Sequence, residues 1–279
     1  MELKPTGAAL GAEITGVDLT RPLSEPDRAR LRDGLARHGV LFARGQRLDP
    51  GQVVQFARNF GEIERYDSTL SRYLLPEQPE IIVLSNIEKD GKPIGVVDAG
   101  TYWHTDRSYV AKPAWSSCLY AVEVPHDDDG QPLGDTEFSS MTAAFAALPA
   151  ADRERLQTLD AWHEYVFRFS EKNESMPGVR QPVVLKHPLT GASCLYVNKG
   201  FTHRILDLPE DEATALIERL FEHVRRPEFI YRHKWQVGDL LLWDNYSTQH
   251  RATGGYKLPQ RRHMWRTTIQ GYPIERGLS

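Results

Sequence analysis

Asp239-Leu240-Leu241-Leu242-Trp243-Asp244-Asn245-Tyr246-Ser247-Thr248-Gln249-His250 reads as a buried strand, a turn at Asp244-Asn245 and a histidine opening the next strand. Working outward, residues 229–235 partly alternate apolar and polar side chains, and residues 262–270 alternate from Arg262 onward. Further strands are expected at 81–84, 117–124, 135–138, 162–169, 182–187 and 194–198. The first sixty or so residues read as strand, helix, strand, helix. In that stretch residues 10–19 are extended and Ser24 caps a helix with Leu31 and Leu35 on one face. Residues 40–42 form a strand, and a helix opened by Asp49-Pro50 closes at Gly61. Ala213, Leu216, Ile217, Leu220 and Val224 recur at helical spacing behind Asp211 and Glu212. Many short strands with few helices predict a mainly β chain with flanking helices (α+β), a double-stranded β-helix or jelly roll. Residues 85–103 and 170–180 are expected as long loops, the former a mobile cover.

Composition sets the limits. The chain has 279 residues, 40% hydrophobic and 26% charged, with no repeat or linker, so residues 1–279 are expected to form one domain. Lys plus Arg number 34 against 38 Asp plus Glu, a net charge of −4 without a basic stripe, which argues against nucleic acid. Cys118 and Cys194 fit no metal or redox spacing and suit a reducing compartment. No apolar run is long enough for a membrane span and Met1-Glu2-Leu3-Lys4-Pro5 has no leader pattern, so the cytoplasm is the expected location. Self-association is left open.

Three features carry chemistry. In Trp103-His104-Thr105-Asp106 the imidazole and carboxylate are two apart, which on an extended strand puts both on one face. Alone, such a pair is commonly a surface His and Asp. His250 lies 144 residues after Asp106 and can add a third leg only through the fold. Two His and one carboxylate form the facial triad of non-haem Fe(II) oxygenases. Arg262 follows His250 by 12 residues, and Arg262, Met264 and Arg266 share a strand face opposite Arg261, His263 and Trp265. An arginine placed there can grip a dicarboxylate whose other end chelates iron, although three arginines in six residues also suit a solvated face. Thr136, after the turn Gly134-Asp135, offers a hydroxyl or is simply a β-branched strand residue.

The chain resembles the taurine dioxygenase family of Fe(II)/2-oxoglutarate-dependent oxygenases, which includes the 2,4-dichlorophenoxyacetate dioxygenases. The resemblance runs through Leu10-Gly11-Ala12-Glu13-Ile14-Thr15-Gly16-Val17-Asp18-Leu19, Gly39-Val40-Leu41-Phe42, Phe60-Gly61-Glu62 and Trp103-His104-Thr105-Asp106. It continues through Gly134-Asp135-Thr136, Trp243-Asp244-Asn245 and Gln249-His250-Arg251. It implies that His104, Asp106 and His250 bind Fe(II), and that Thr136 and Arg262 hold 2-oxoglutarate, with O₂ as co-reactant. It places Arg266 near a small anionic substrate and leads to hydroxylation of a C–H bond with release of succinate and CO₂, in some members followed by C–O or C–S cleavage. Gly100 stands where taurine-specific members carry asparagine, which weakens a taurine reading, and residues 229–239 look closer to the phenoxyacetate branch. Tyr73 and Tyr102 are candidates for an aromatic pocket. The competing readings are a Zn(II) hydrolase on a jelly-roll scaffold and a binding protein without turnover.

Overall fold

The computed structural model describes residues 1–66, 70–97, 100–165 and 177–277. The strand Leu240–Asp244 lies between Val40–Ala43 and Ser116–Glu123, antiparallel to both. Leu241 and Trp243 face a core shared with Val40, Phe42, Leu119, Phe138 and Met264. Leu240 and Leu242 face a second core with Leu35, Leu41, Phe56, Cys118 and Tyr120. Side chains alternate along a strand, so an unbroken apolar run is what a strand covered on both faces requires. Burying each of these leucines contributes roughly 1.5–3 kcal/mol.

The large sheet has eight strands, in the order Glu2–Pro5, Ala12–Thr15, Val40–Ala43, Leu240–Asp244, Ser116–Glu123, His263–Ile269, Gln78–Ser85 and Leu74–Leu75. A three-stranded sheet, Ile230–His233, Thr136–Ser140 and Thr248–Ala252, shares the core of its inner face. Phe138 at its centre meets Trp243 of the large sheet with ring centroids 5.8 Å apart. These two sheets are the walls of the expected jelly roll. Two more three-stranded sheets extend it: Val179–Pro182, Asp160–His163 and Thr202–Ile205, then Ser193–Leu195, Val184–Lys186 and Glu275–Arg276.

Helices Glu25–His38 and Pro50–Ala57 contribute Leu31, Leu35, Val53 and Phe56 to the outer core. Ser24 accepts from the Asp27 N–H, and Asp49 forms a reciprocal cap with Gln52. The second helix stops at Ala57, short of Gly61, because Asn59 and Phe60 turn their N–H groups back to Phe56 and Ala57. Glu210–His223 buries Ala213, Leu216, Ile217 and Leu220 as its spacing predicts. Helices Met141–Ala146 and Ala150–Leu156 were not expected; each is too short to show a periodic stripe.

The stretch 85–103 is more ordered than an open loop. Asp90 and Gly91 both have positive φ, 53° and 70°, and close a hairpin of Glu88–Lys89 on Lys92–Pro93. The Val96 N–H then donates to Val83 O at 2.9 Å, which ties the returning chain to the large sheet. Residues 98–99 lie outside the described residues, as do 166–176, which hold the end of the strand expected at 162–169 and much of the loop expected at 170–180.

Candidate metal centre

His104 and Asp106 do not lie on a continuous strand. His104 makes a single antiparallel bridge to His250, with N–H···O distances of 3.0 and 2.8 Å in the two directions, and Asp106 sits in the turn that follows. The segment is strapped to the 244–250 hairpin by side chains as well. The Thr105 hydroxyl donates to Thr248 O at 3.0 Å, and the Asp106 N–H donates to Asn245 Oδ1 at 3.3 Å. The expected shared face therefore comes from a bridge plus a turn, because the local backbone donors go to the hairpin instead of a sheet ladder.

The hairpin is itself fixed by Asp244. Its Oδ1 accepts from the Tyr246 and Ser247 N–H groups at 2.7 and 3.3 Å, and its Oδ2 pairs with buried His187 Nε2 at 2.6 Å. The result is convergence: one donor atom from each of His104, Asp106 and His250 lies within 4.8 Å of the others, all three residues buried. His104 Nε2 is 3.6 Å and His250 Nε2 3.9 Å from Asp106 Oδ1.

The donor set fits a divalent ion. His104 Nδ1–H donates to Tyr102 O at 2.8 Å, which leaves the Nε2 lone pair pointing at the cluster. Burial and then the neighbouring His104 hold the His250 pKa well below its usual value, so its ring is neutral and able to ligate. Burial alone would raise the Asp106 pKa; Arg266, His250 and His104 outweigh it and hold the carboxyl well below its usual range. Donors separated by 3.6 and 3.9 Å can share an ion lying ~2.1 Å from each.

Arg262 is buried, and among the described residues no carboxylate pairs with it. Its backbone N–H donates to Asn86 Oδ1 at 2.8 Å and its carbonyl accepts from Ser85 Oγ at 2.7 Å. Burial lowers its pKa, with Tyr256 opposing. Arg261 points outward to Glu123 at 3.2 Å, as strand alternation requires. Thr136 is buried and its Oγ1 accepts the Trp235 Nε1–H at 3.0 Å, so its own O–H remains to donate. The turn before it presses on the arginine: a Cβ on Gly134 would lie 2.8 Å from the Tyr256 ring and 3.4 Å from Arg262 Nε.

A model of the family described as "Taurine catabolism dioxygenase TauD, TfdA family" matches residues 2–268. The chain belongs to the TauD/TfdA family. Among TauD/TfdA relatives, the alpha-ketoglutarate-dependent 2,4-dichlorophenoxyacetate dioxygenase of Burkholderia sp. (strain RASC) is 33% identical, over 93% of this chain and 91% of that protein. A taurine dioxygenase structure from Burkholderia xenovorans superposes with a TM-score of 0.83 at 33% identity, covering 98% of this chain and 90% of the other. The structure of AAD-2 in complex with Mn(II) and N-oxalylglycine gives 0.82 at 28% identity, with full coverage of both chains (100% each).

Geometry adds partners to two of the residues singled out within this TauD/TfdA frame. Arg266 is not free: its Nη2 donates to Asp106 Oδ1 at 2.7 Å. The Tyr73 hydroxyl accepts from Arg72 Nη2 at 2.7 Å, and the Tyr102 ring lies 5.1 Å from that of His104. Four neighbours were missed. The Ser117 hydroxyl donates to Asp106 Oδ2 at 2.7 Å, and Asn245 Nδ2 donates to Ser117 Oγ at 3.3 Å. Phe201 lies 5.9 Å from His104, and Tyr109 4.8 Å from Phe201. Only the Gly200 before Phe201 hinted at a close approach: a Cβ there would lie 2.6 Å from the Tyr102 ring.

Gly100 gives a test of this packing. A Cβ there would lie 2.5 Å from His104 Cε1, and its φ of +73° disfavours any side chain. Gly100→Ala is expected to displace the imidazole and weaken Mn(II) binding by roughly tenfold or more, the scale seen when ligand orientation is lost. Calorimetric titration checks it; an unchanged affinity would show that the loop gives way instead.

Proposed function

We propose that residues 1–279 act as one Fe(II)- and 2-oxoglutarate-dependent dioxygenase domain that hydroxylates a C–H bond of a small organic anion, releasing succinate and CO₂. The carrying observation is the pairing of a buried His-Asp-His donor set with Arg262, a buried cation that meets no carboxylate among the described residues. His104 Nε2, Asp106 Oδ1 and His250 Nε2 would hold Fe(II), whose chemistry when bound is the activation of O₂ coupled to oxidative decarboxylation of the cosubstrate.

The chain's own residues do the rest. Arg262 takes the distal carboxylate of 2-oxoglutarate and the Thr136 O–H adds a second donor to it, which fixes which end of a flexible diacid meets the metal. Ser117 and Asn245 orient the Asp106 carboxylate. Tyr102, Phe201 and Tyr109 form an apolar wall beside His104 that keeps water from the reacting C–H bond and suits a substrate with an aromatic or other apolar body.

Relatives are named for 2,4-dichlorophenoxyacetate, (S)-phenoxypropionate and sulfonates, all small anions, which supports the same class here. The comparisons give a zinc hydrolase no support. No helix among the described residues is long and apolar enough to cross a membrane, and the two reduced cysteines suit work in the cytoplasm. The deciding experiment measures succinate formation with Fe(II) and ascorbate across aryloxyalkanoates, sulfonates, sulfate esters and amino acids. Stimulation by one anion establishes the function; a chain that binds Fe(II) and 2-oxoglutarate yet turns over none of them would be a binding protein.

A further inference from the structure

Asp106 Oδ1 is approached from three directions. His104 Nε2 lies 3.6 Å away, His250 Nε2 3.9 Å, and Arg266 Nη2 donates to it at 2.7 Å. The other oxygen, Oδ2, is held by the Ser117 hydroxyl at 2.7 Å. The oxygen that faces both histidines is therefore the one the guanidinium occupies. Arg266 has a second distinguishing mark: its Nε is buried and finds no hydrogen-bond partner among the described residues. One end of the guanidinium is committed to the Asp106 carboxylate while another donor has no partner among the described residues.

We propose that Arg266 is a place-holder cation, competing with the divalent metal for Asp106 Oδ1, so that metal entry releases its guanidinium to receive the anionic group of the substrate. This rests on the reading of His104, Asp106 and His250 as the Fe(II) site. A carboxylate oxygen has lone pairs for two partners, but a guanidinium and a dication on one oxygen lie within a few ångströms of each other. Their repulsion is poorly screened at a buried site.

Before metal arrives, Arg266 keeps the buried Asp106 charge paired, which a buried carboxylate requires. Once released, the guanidinium and its unused Nε–H need an anion, and the substrate supplies one. Because coupling is reciprocal, metal promotes anion binding and the anion strengthens metal binding. Substrate anions are thereby directed to loaded sites, which is a means of ordering the two events.

The test titrates the metal-free chain with Co(II) alone, anaerobically, by calorimetry and by Co(II) absorption. Arg266→Met is expected to bind Co(II) about tenfold tighter than the unaltered chain, with Arg266→Lys close to it, within the usual range of site–site coupling. A folded Arg266→Met chain with equal or weaker affinity overturns the proposal. If that variant does not fold, crystals of the unaltered chain grown with and without Mn(II) decide. Arg266 Nη2 is expected to leave hydrogen-bond reach of Oδ1 when Mn(II) is bound, and its staying there overturns the proposal. A chain whose Co(II) binding is absent, or survives His250→Ala, overturns the reading of the centre itself, a result distinct from both.

Discussion

His250→Ala is expected to yield a folded chain that forms no succinate above background and binds Mn(II) more than about a hundredfold more weakly. Losing a ligand costs more than losing a group that merely orients one. The deletion removes a buried ring packed 4.7 Å from Trp243 and 5.9 Å from Phe138. The cavity should cost roughly 2–4 kcal/mol, tolerable for a domain of ordinary stability. Asp106→Ala is expected to abolish turnover equally but to destabilise the fold more, by about 3–5 kcal/mol, because it leaves partly buried Arg266 without its carboxylate. Urea unfolding of the two variants checks the order. Equal midpoints would mean that losing the Arg266–Asp106 pair costs no more than the cavity left by His250, and persistent succinate formation in either variant would dismiss these residues as ligands.

Arg262→Leu is expected to raise the 2-oxoglutarate concentration needed for half-maximal turnover by about tenfold to a hundredfold, matching the roughly 1.5–3 kcal/mol of a charged hydrogen bond. The same change should leave thermal stability equal or higher, since it removes a buried cation that lacks a carboxylate among the described residues. A functional loss with a stability gain is the signature of a group kept for a ligand. Arg261→Leu breaks only an outward pair with Glu123 and should change the 2-oxoglutarate requirement little. Steady-state kinetics with 2-oxoglutarate varied, alongside melting curves, separates the two. Greater damage from Arg261→Leu would assign the cosubstrate contact to the other strand face.

Much of this was legible because strands have a period of two. That period alone separates Arg262 from Arg261 and aligns Arg262, Met264 and Arg266, as observed. The apolar run at Leu240 and the Asp244-Asn245 turn likewise announce a buried strand followed by a hairpin. Other parts were not legible. Ser117 and Phe201 reach the centre through pairings between distant segments; nothing local marks Ser117, and beside Phe201 only Gly200 hints at a close approach. The strand expected at His104 is replaced by one bridge because its polar groups find partners in the Asn245–His250 hairpin. Asp90-Gly91 is a strong hairpin signal that stands out once the turn is seen, but its flanking strands are only two residues each.

The bridge between His104 and His250 also has a bearing on how the chain is made and lost. The two residues are 146 apart, so the site cannot exist in a partly folded chain; it assembles only when the two sheets close. Iron therefore binds the finished fold and not the unfolded ensemble, and free metal at about a hundred times its dissociation constant adds roughly 2.7 kcal/mol to stability. Under that loading, removing the ion would raise the unfolded fraction by about two orders of magnitude and expose the chain to faster proteolysis. Supply of the ion would then bear on how many copies of the protein survive as well as on how many can work.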